Sequence, residues 1–321
     1  MRRRDFIAAI GGAAAWPIAA RAQQRAVMRR VGILAVEAIG AVDDFKKELA
    51  RLGWTEGRNI RFEERRPDTD EQVLLDATQL ARLAPDAIYV ESSPHLLAMR
   101  HAAGDIPIVF SNVGDPVGQG FVSSLARPGG NITGFAGFEF GVASKFLDLL
   151  KKLVPTMERV AFMYDPLQPA AGGYWAVIES AAPSLALHAA KLPVRTADDI
   201  ERAIVALARE PNGGVYAMAG GVTIQHQALI AKLAMQYRLP SMYAYRLFLE
   251  SGGLASYGVD PVALSRRAAS YVDRILKGEK PRDLPVQLPV RYQFVVNLKT
   301  ARAIGLDIPD NVLALTDEAI E

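Results

Sequence analysis

One rhythm constrains this chain more than any other feature. Short apolar runs return about every 25–30 residues, each followed by a segment with helical spacing. Residues 30–36 (R-V-G-I-L-A-V) read as a buried strand. Val42, Phe45, Leu49 and Leu52 then recur at helix period until Gly53. Residues 59–64 alternate as a strand, 71–83 are helical and end before Pro85, 86–90 are a strand, Pro94 opens a helix, and 106–110 are another strand. This order predicts a parallel sheet with helices on both faces.

The rhythm stops between Gly114 and Gly134, a stretch punctuated by Pro116, Gly118, Gly120, Pro128, Gly129 and Gly130. It restarts with helix 146–153, strand 159–164, helix 175–182, strand 187–194, helix 200–208, strand 214–219, helix 225–237 and strand 240–243. After Gly252 and Gly253 come a short strand (254–257), a long amphipathic helix from Pro261 to Gly278, a proline-marked extended segment (284–289), a strand (292–297) and a helix (300–304). The expected class is α/β, with two Rossmann-like lobes of parallel strands, each about 110 residues.

The first 22 residues read as an address. Arg2, Arg3 and Arg4 precede an apolar run from Phe6 to Ala20, and Ala20-Arg21-Ala22 fits a cleavage site. Arg3-Arg4-Asp5-Phe6 resembles the twin-arginine pattern, although general secretion uses a basic start as well. Cleavage after Ala22 leaves a net charge of −1 in place of +2. A soluble, periplasmic protein is expected. A near-neutral chain disfavours nucleic acid as a partner. The absence of cysteine excludes disulfides, thiolate metal sites and a thiol nucleophile.

Enzyme signatures are scarce. No G-x-x-x-x-G-K-[ST] loop or G-x-S-x-G elbow occurs, and the first turn, Glu37-Ala-Ile-Gly-Ala, has one glycine where a dinucleotide fingerprint needs three. His95, His101, His188 and His226 lack metal-ligand spacing and read as ordinary helix-face or surface residues. No cofactor or metal is expected. What remains is a set of polar groups at strand ends, where open α/β sheets bind ligands. They are Glu37, Glu91-Ser92-Ser93-Pro94, Ser111 to Asp115, Tyr164-Asp165, Ala219-Gly220-Gly221, Tyr243 to Tyr245 and Tyr257 to Asp260. Serines and aspartates there serve equally as helix caps, and the tyrosines as core. The chemistry suits a small zwitterion: a carboxylate at the Ser92/Ser93 helix start, an ammonium on Asp115 or Asp165, and an apolar side chain among Tyr164, Tyr243, Tyr245 and Tyr257.

Long stretches carry a resemblance. They are I-P-I-V-F-S-N-V-G-D-P-V (106–117), S-L-A-R-P-G-G-N-I-T-G (124–134), L-L-K-K-L-V-P (149–155), S-G-G-L-A-S-Y-G-V-D (251–260), R-R-A-A-S-Y-V-D-R-I-L-K-G (266–278) and N-L-K-T-A-R-A-I-G-L-D-I-P (297–309). Across its length the chain resembles the ABC-transporter substrate-binding proteins of the tryptophan/tyrosine type. The resemblance implies the type I periplasmic-binding-protein fold: two lobes, a hinge of crossing strands, and a ligand between them. Residues 27–136 and 259–284 would form the first lobe, and 137–258 and 285–321 the second. It implies binding positions at Ser93, Ser111, Asp115, Tyr164, Asp165, and Tyr257 to Asp260. Glu37, Ser92, Gly220 and Tyr243 join them as strand-end candidates. Glu37-Ala-Ile-Gly-Ala stands where related amino-acid binders often have His-Pro. The expected function is solute capture for an uptake transporter, as a monomer that docks on ABC permease subunits. A ligand-sensing module and an exported two-lobed enzyme using Asp115 or Glu37 as base are the alternatives.

Overall fold

A computed structural model describes residues 28–321, and the expected address at 1–22 lies outside the described residues. Two sheets organise the molecule. The first, all parallel, has the order β2-β1-β3-β4-β5, with β1 (Arg29–Leu34), β2 (Ile60–Arg65), β3 (Ala87–Glu91), β4 (Ile108–Gly114) and β5 (Ile132–Phe138). Its connecting helices are α1 (Val42–Arg51), α2 (Asp70–Arg82) and α3 (Ser93–Ala102).

The second sheet has the order β12-β11-β10-β9-β8-β6-β7. Its strands are β6 (Arg159–Tyr164), β7 (His188–Pro193), β8 (Gly213–Ala217), β9 (Ser241–Tyr243), β10 (Ala255–Gly258), β11 (Gln293–Asn297) and β12 (Glu318–Ile320). Between them run α4 (Val142–Leu153), α5 (Ala171–Ala181), α6 (Ala197–Leu207), α7 (Gly221–Gln225), α8 (Gln227–Gln236), α9 (Leu247–Glu250), α10 (Pro261–Leu276), α11 (Leu298–Ala303) and α12 (Asp310–Leu313). Its pairs are parallel except β10 with β11.

Local chemistry explains these elements. α1 buries Val42, Phe45 and Leu49 at helix period, and Phe45 stacks on Tyr89 of β3 at 4.1 Å. Thr69 caps α2 by accepting the Gln72 N–H, and Thr196 and Asp199 form a capping box on α6. Each large apolar side chain so buried contributes about 1.5–3 kcal/mol.

The chain crosses between the sheets after β5, after β10, and before β11. α10 follows a strand of the second sheet yet packs on β3, β4, β5 and α1 of the first. Asp273 on α10 accepts the Trp54 indole N–H at 2.8 Å, and Arg266 pairs with Asp44 at 2.6 Å. Residues 284–288 run along the free edge of β5: the Gln287 N–H donates to the Gly134 carbonyl (3.0 Å), and the Ala136 N–H to the Gln287 carbonyl (2.9 Å). These bonds seat residue 287 on the edge of the first sheet.

β5 begins within the expected Gly/Pro break at 114–134 and runs past its end, where no strand was expected. Its sequence, I-T-G-F-A-G-F, is buried throughout, and its glycines serve close packing rather than turning. A Cβ on Gly134 would sit 2.2 Å from the Phe110 carbonyl oxygen, and φ there is +155°. The helix expected at 225–237 is α8, and the short α7 precedes it, separated by His226.

Candidate functional site

The carboxyl ends of both sheets face a cavity of about 420 Å³, within the range of small-molecule sites. The first sheet supplies the turn Glu37–Ile39, the loop after β2, the start of α3, and Asn112. The second supplies Asp165 to Gln168 after β6, Arg195 after β7, the 219–225 turn after β8, and Tyr245 after β9.

Two residues reach the cavity through left-handed backbone. Ser92 has φ +74° and ψ 157°, a region in which a non-glycine residue costs about 1–3 kcal/mol. Asn112 has φ +57° where the β4–β5 register shifts. Asparagine tolerates this conformation, and the bulge re-aims its side chain. The strained Ser92 places its hydroxyl 2.7 Å from His95 Nδ1. Burial holds the imidazole neutral by lowering its pKa to about 4, against the opposing pull of the Glu91 carbonyl.

Beneath these residues lies a buried carboxyl. Glu91 accepts from the Val36 N–H (3.1 Å), the Tyr89 hydroxyl (2.9 Å) and the Ser265 hydroxyl of α10 (3.2 Å). Burial raises its pKa despite these donors. The network ties the first loop, β3 and α10 together under the cavity floor.

On the opposite wall, Asp165 is buried. Its Oδ1 accepts the Leu167 N–H at 2.9 Å, and Oδ2 faces Gly221. The buried Thr223 hydroxyl accepts the Gly220 N–H at 3.0 Å and donates to the Met218 carbonyl, fixing the turn. An inner chamber of about 30 Å³, room for one water, is walled by Phe138, Tyr174, Tyr216 and Tyr245. Burial pushes the pKa of all three tyrosines up, so their hydroxyls stay neutral. At the rim, Glu37 pairs with Arg66, which also holds Glu64. Among the described residues no cluster of three or more histidines or carboxylates is arranged to hold a metal ion.

Of the expected residues, Glu37, Ser92, Pro94, Asn112, Asp165, Ala219, Gly220, Gly221 and Tyr245 line the cavity, and Ser93 lines its inner chamber. The others stand elsewhere. Ser111 is buried, bonding the Tyr89 hydroxyl at 2.7 Å. Asp115 accepts the Gly118 N–H, closing a turn, and Asp260 caps α10. Tyr164 stacks on Phe162, Tyr243 on Phe248, and Tyr257 on Tyr292. Those tyrosine faces are spent on other rings rather than turned to the cavity.

Sequence reading missed His95, Gln168 and Arg195 as cavity residues. His95 looked bland for want of metal spacing. Gln168 carried a usable signal: it sits between Pro166 and Pro169 in a short loop directly after a strand end.

Comparison with known proteins agrees with this architecture. A tyrosine-binding protein of Clostridioides difficile is 25% identical over 263 residues, covering 82% of this chain and 75% of that protein. The crystal structure of a conserved domain protein from Vibrio cholerae superposes with a TM-score of 0.84 at 26% identity, covering 92% of this chain and all of that one. An ABC domain from Streptococcus pneumoniae in complex with L-Trp superposes with a TM-score of 0.83 at 21% identity, covering 91% of this chain and 99% of that one. The two-lobed type I periplasmic-binding-protein architecture is therefore the fold. The family model described as ABC transporter substrate binding protein matches residues 34–320, so the chain belongs to that family.

Proposed function

We propose that this protein is the exported receptor of an ABC-type uptake system and that its cleft captures a small amino-acid-like solute with an aromatic side chain. The observation that carries the reading is the cavity between the strand ends of two lobes, with a buried carboxylate on one wall and an aromatic chamber behind it. The ligand ammonium pairs with Asp165, whose Oδ2 is not engaged by Leu167. The ring packs toward Tyr245 and the chamber, where neutral hydroxyls meet a polar ring substituent. The carboxylate sits at the first turn of α3, where the Ser93 and His95 N–H groups lack helical partners. The names of the Clostridioides difficile and Streptococcus pneumoniae relatives support tyrosine or tryptophan as first ligands to try.

The cavity borders belong to different lobes, so a ligand bridging them favours closure, and closure reports occupancy to a membrane permease. Among the described residues no helix is long and apolar enough to cross a membrane, so transport is assigned to the partner. Calorimetry and intrinsic fluorescence test this. Trp54 reports on the first lobe and Trp175, packed on Phe162, on the second. Ligand at 100 times its dissociation constant raises stability by about 2.7 kcal/mol. No heat, fluorescence change or thermal shift with any aromatic amino acid refutes the ligand assignment.

A further inference from the structure

The unpartnered polar atoms of the cleft share one polarity. His95, Asn112 and Gln168 are 6%, 7% and 8% exposed, and His95 Nε2, Asn112 Oδ1 and Gln168 Oε1 have no hydrogen-bond partner. All three residues line the cavity. One of the orientations follows from a neighbouring carbonyl, which only accepts. His95 Nδ1 is held by the Ser92 hydroxyl at 2.7 Å, and Nε2 is unpartnered. In the tautomer whose Nδ1–H donates to that hydroxyl, Nε2 presents a lone pair to the cleft. Gln168 Nε2 points to the Ala219 carbonyl at 3.4 Å, so Oε1 faces away from it. Asn112 Nδ2 donates to Ser111 Oγ at 3.3 Å. Asp165 Oδ2 adds a fourth acceptor. Two of the four come from each lobe.

The fixed charges agree. The carboxylates lining the cavity are Glu37, Asp68, Asp70 and Asp165, and Arg195 at the exposed rim is the one lining arginine or lysine among the described residues. Features that would hold an anion are weak by comparison. Pro94 occupies the second position of α3 and removes one of its first-turn donors.

We propose that the cleft selects its ligand by a multi-donor cationic head, a primary ammonium or a guanidinium, which bridges the acceptors of both lobes, and that a ligand carboxylate is dispensable. This rests on the reading of the cleft as a solute site and narrows the class it takes from amino acids to amines. A head with three or more N–H donors satisfies acceptors that are costly to leave buried and unpaired. A carboxylate brought to the same position meets lone pairs and like charge.

The test is calorimetry on the mature protein with tyrosine and tryptophan, tyramine and tryptamine, 4-hydroxyphenylacetate and indole-3-acetate, and the non-aromatic cations agmatine and putrescine. The aromatic amines are expected to bind within about tenfold of the better amino acid, and the carboxylates more than about 100-fold more weakly. Asp165→Asn, which keeps the Oδ1 acceptor for Leu167, weakens amine binding by at least about 30-fold with an unchanged thermal midpoint. Gln168→Leu weakens it about tenfold. Binding of the amino acids without the amines overturns the proposal and leaves the receptor reading intact. Binding of the amines or agmatine without the amino acids upholds it and removes the amino-acid assignment. Binding by carboxylates alone, or by none of the cations, overturns it.

Discussion

Acid should unfold this protein in part through one imidazole. His95 in the native state resists protonation down to about pH 4, whereas the unfolded chain takes up that proton near pH 6.5. The native pKa is depressed, so between these values the unfolded state binds more protons and stability falls with falling pH. Above pH 6.5 the contribution is complete. The interval corresponds to about 3 kcal/mol, most of it gone by pH 4.5. Replacing His95 with Gln removes the titration while keeping a group able to bond Ser92. The assay is urea unfolding of both proteins at pH 7.5 and 4.5. At pH 7.5 the parent should be the more stable, through better packing. That advantage should shrink by about 2–3 kcal/mol at pH 4.5. Titration of Glu91 occurs in both proteins and cancels in the difference. A gap between parent and variant that stays the same at the two pH values would refute the reasoning.

Three further outcomes are expected. Glu91 has a raised native pKa, so its ionisation costs stability as pH rises above the ordinary carboxyl value. Glu91→Gln should therefore raise the thermal midpoint at pH 7.5, with the gain vanishing toward pH 4, and a lower midpoint at pH 7.5 would count against this. Gly258→Ala places a Cβ 1.8 Å from the Ala244 carbonyl oxygen beside the second crossing, and should lose about 3 kcal/mol in urea unfolding. Thr223→Val leaves the Gly220 N–H and the Met218 carbonyl without the bonds they now make to that hydroxyl, at a cost of about 1–3 kcal/mol, with weakened ligand binding by calorimetry.

The fold was legible because strands such as β3, β4 and β8 are buried on both faces and mostly read as apolar runs, while helices such as α1 and α10 carry clean stripes. β5 was hidden because Gly134 and Gly137 imitate a turn, and only the approach of Phe110 and Asn112 explains them. The cavity was half legible. Glu37, Ser92 and Asp165 follow from the rule that ligands sit beyond strand ends. Among the tyrosines Tyr245 lines the cavity, while sequence position cannot say whether a ring faces a cavity or another ring, as with Tyr243 on Phe248. Gln168 and His95 matter for what they lack, a partner, and partners become visible only in three dimensions.

A ribosome releases this polypeptide in order, and α10 makes that order consequential. Residues 29–138 emerge early, yet the helix that covers β3, β4 and β5 comes from 261–276. Until it arrives, a nascent chain holds an uncovered apolar face waiting for Leu264, Ala268 and Val272. A polypeptide interrupted before residue 276 is left sticky rather than half finished, because even the first half waits for a segment that follows most of the second.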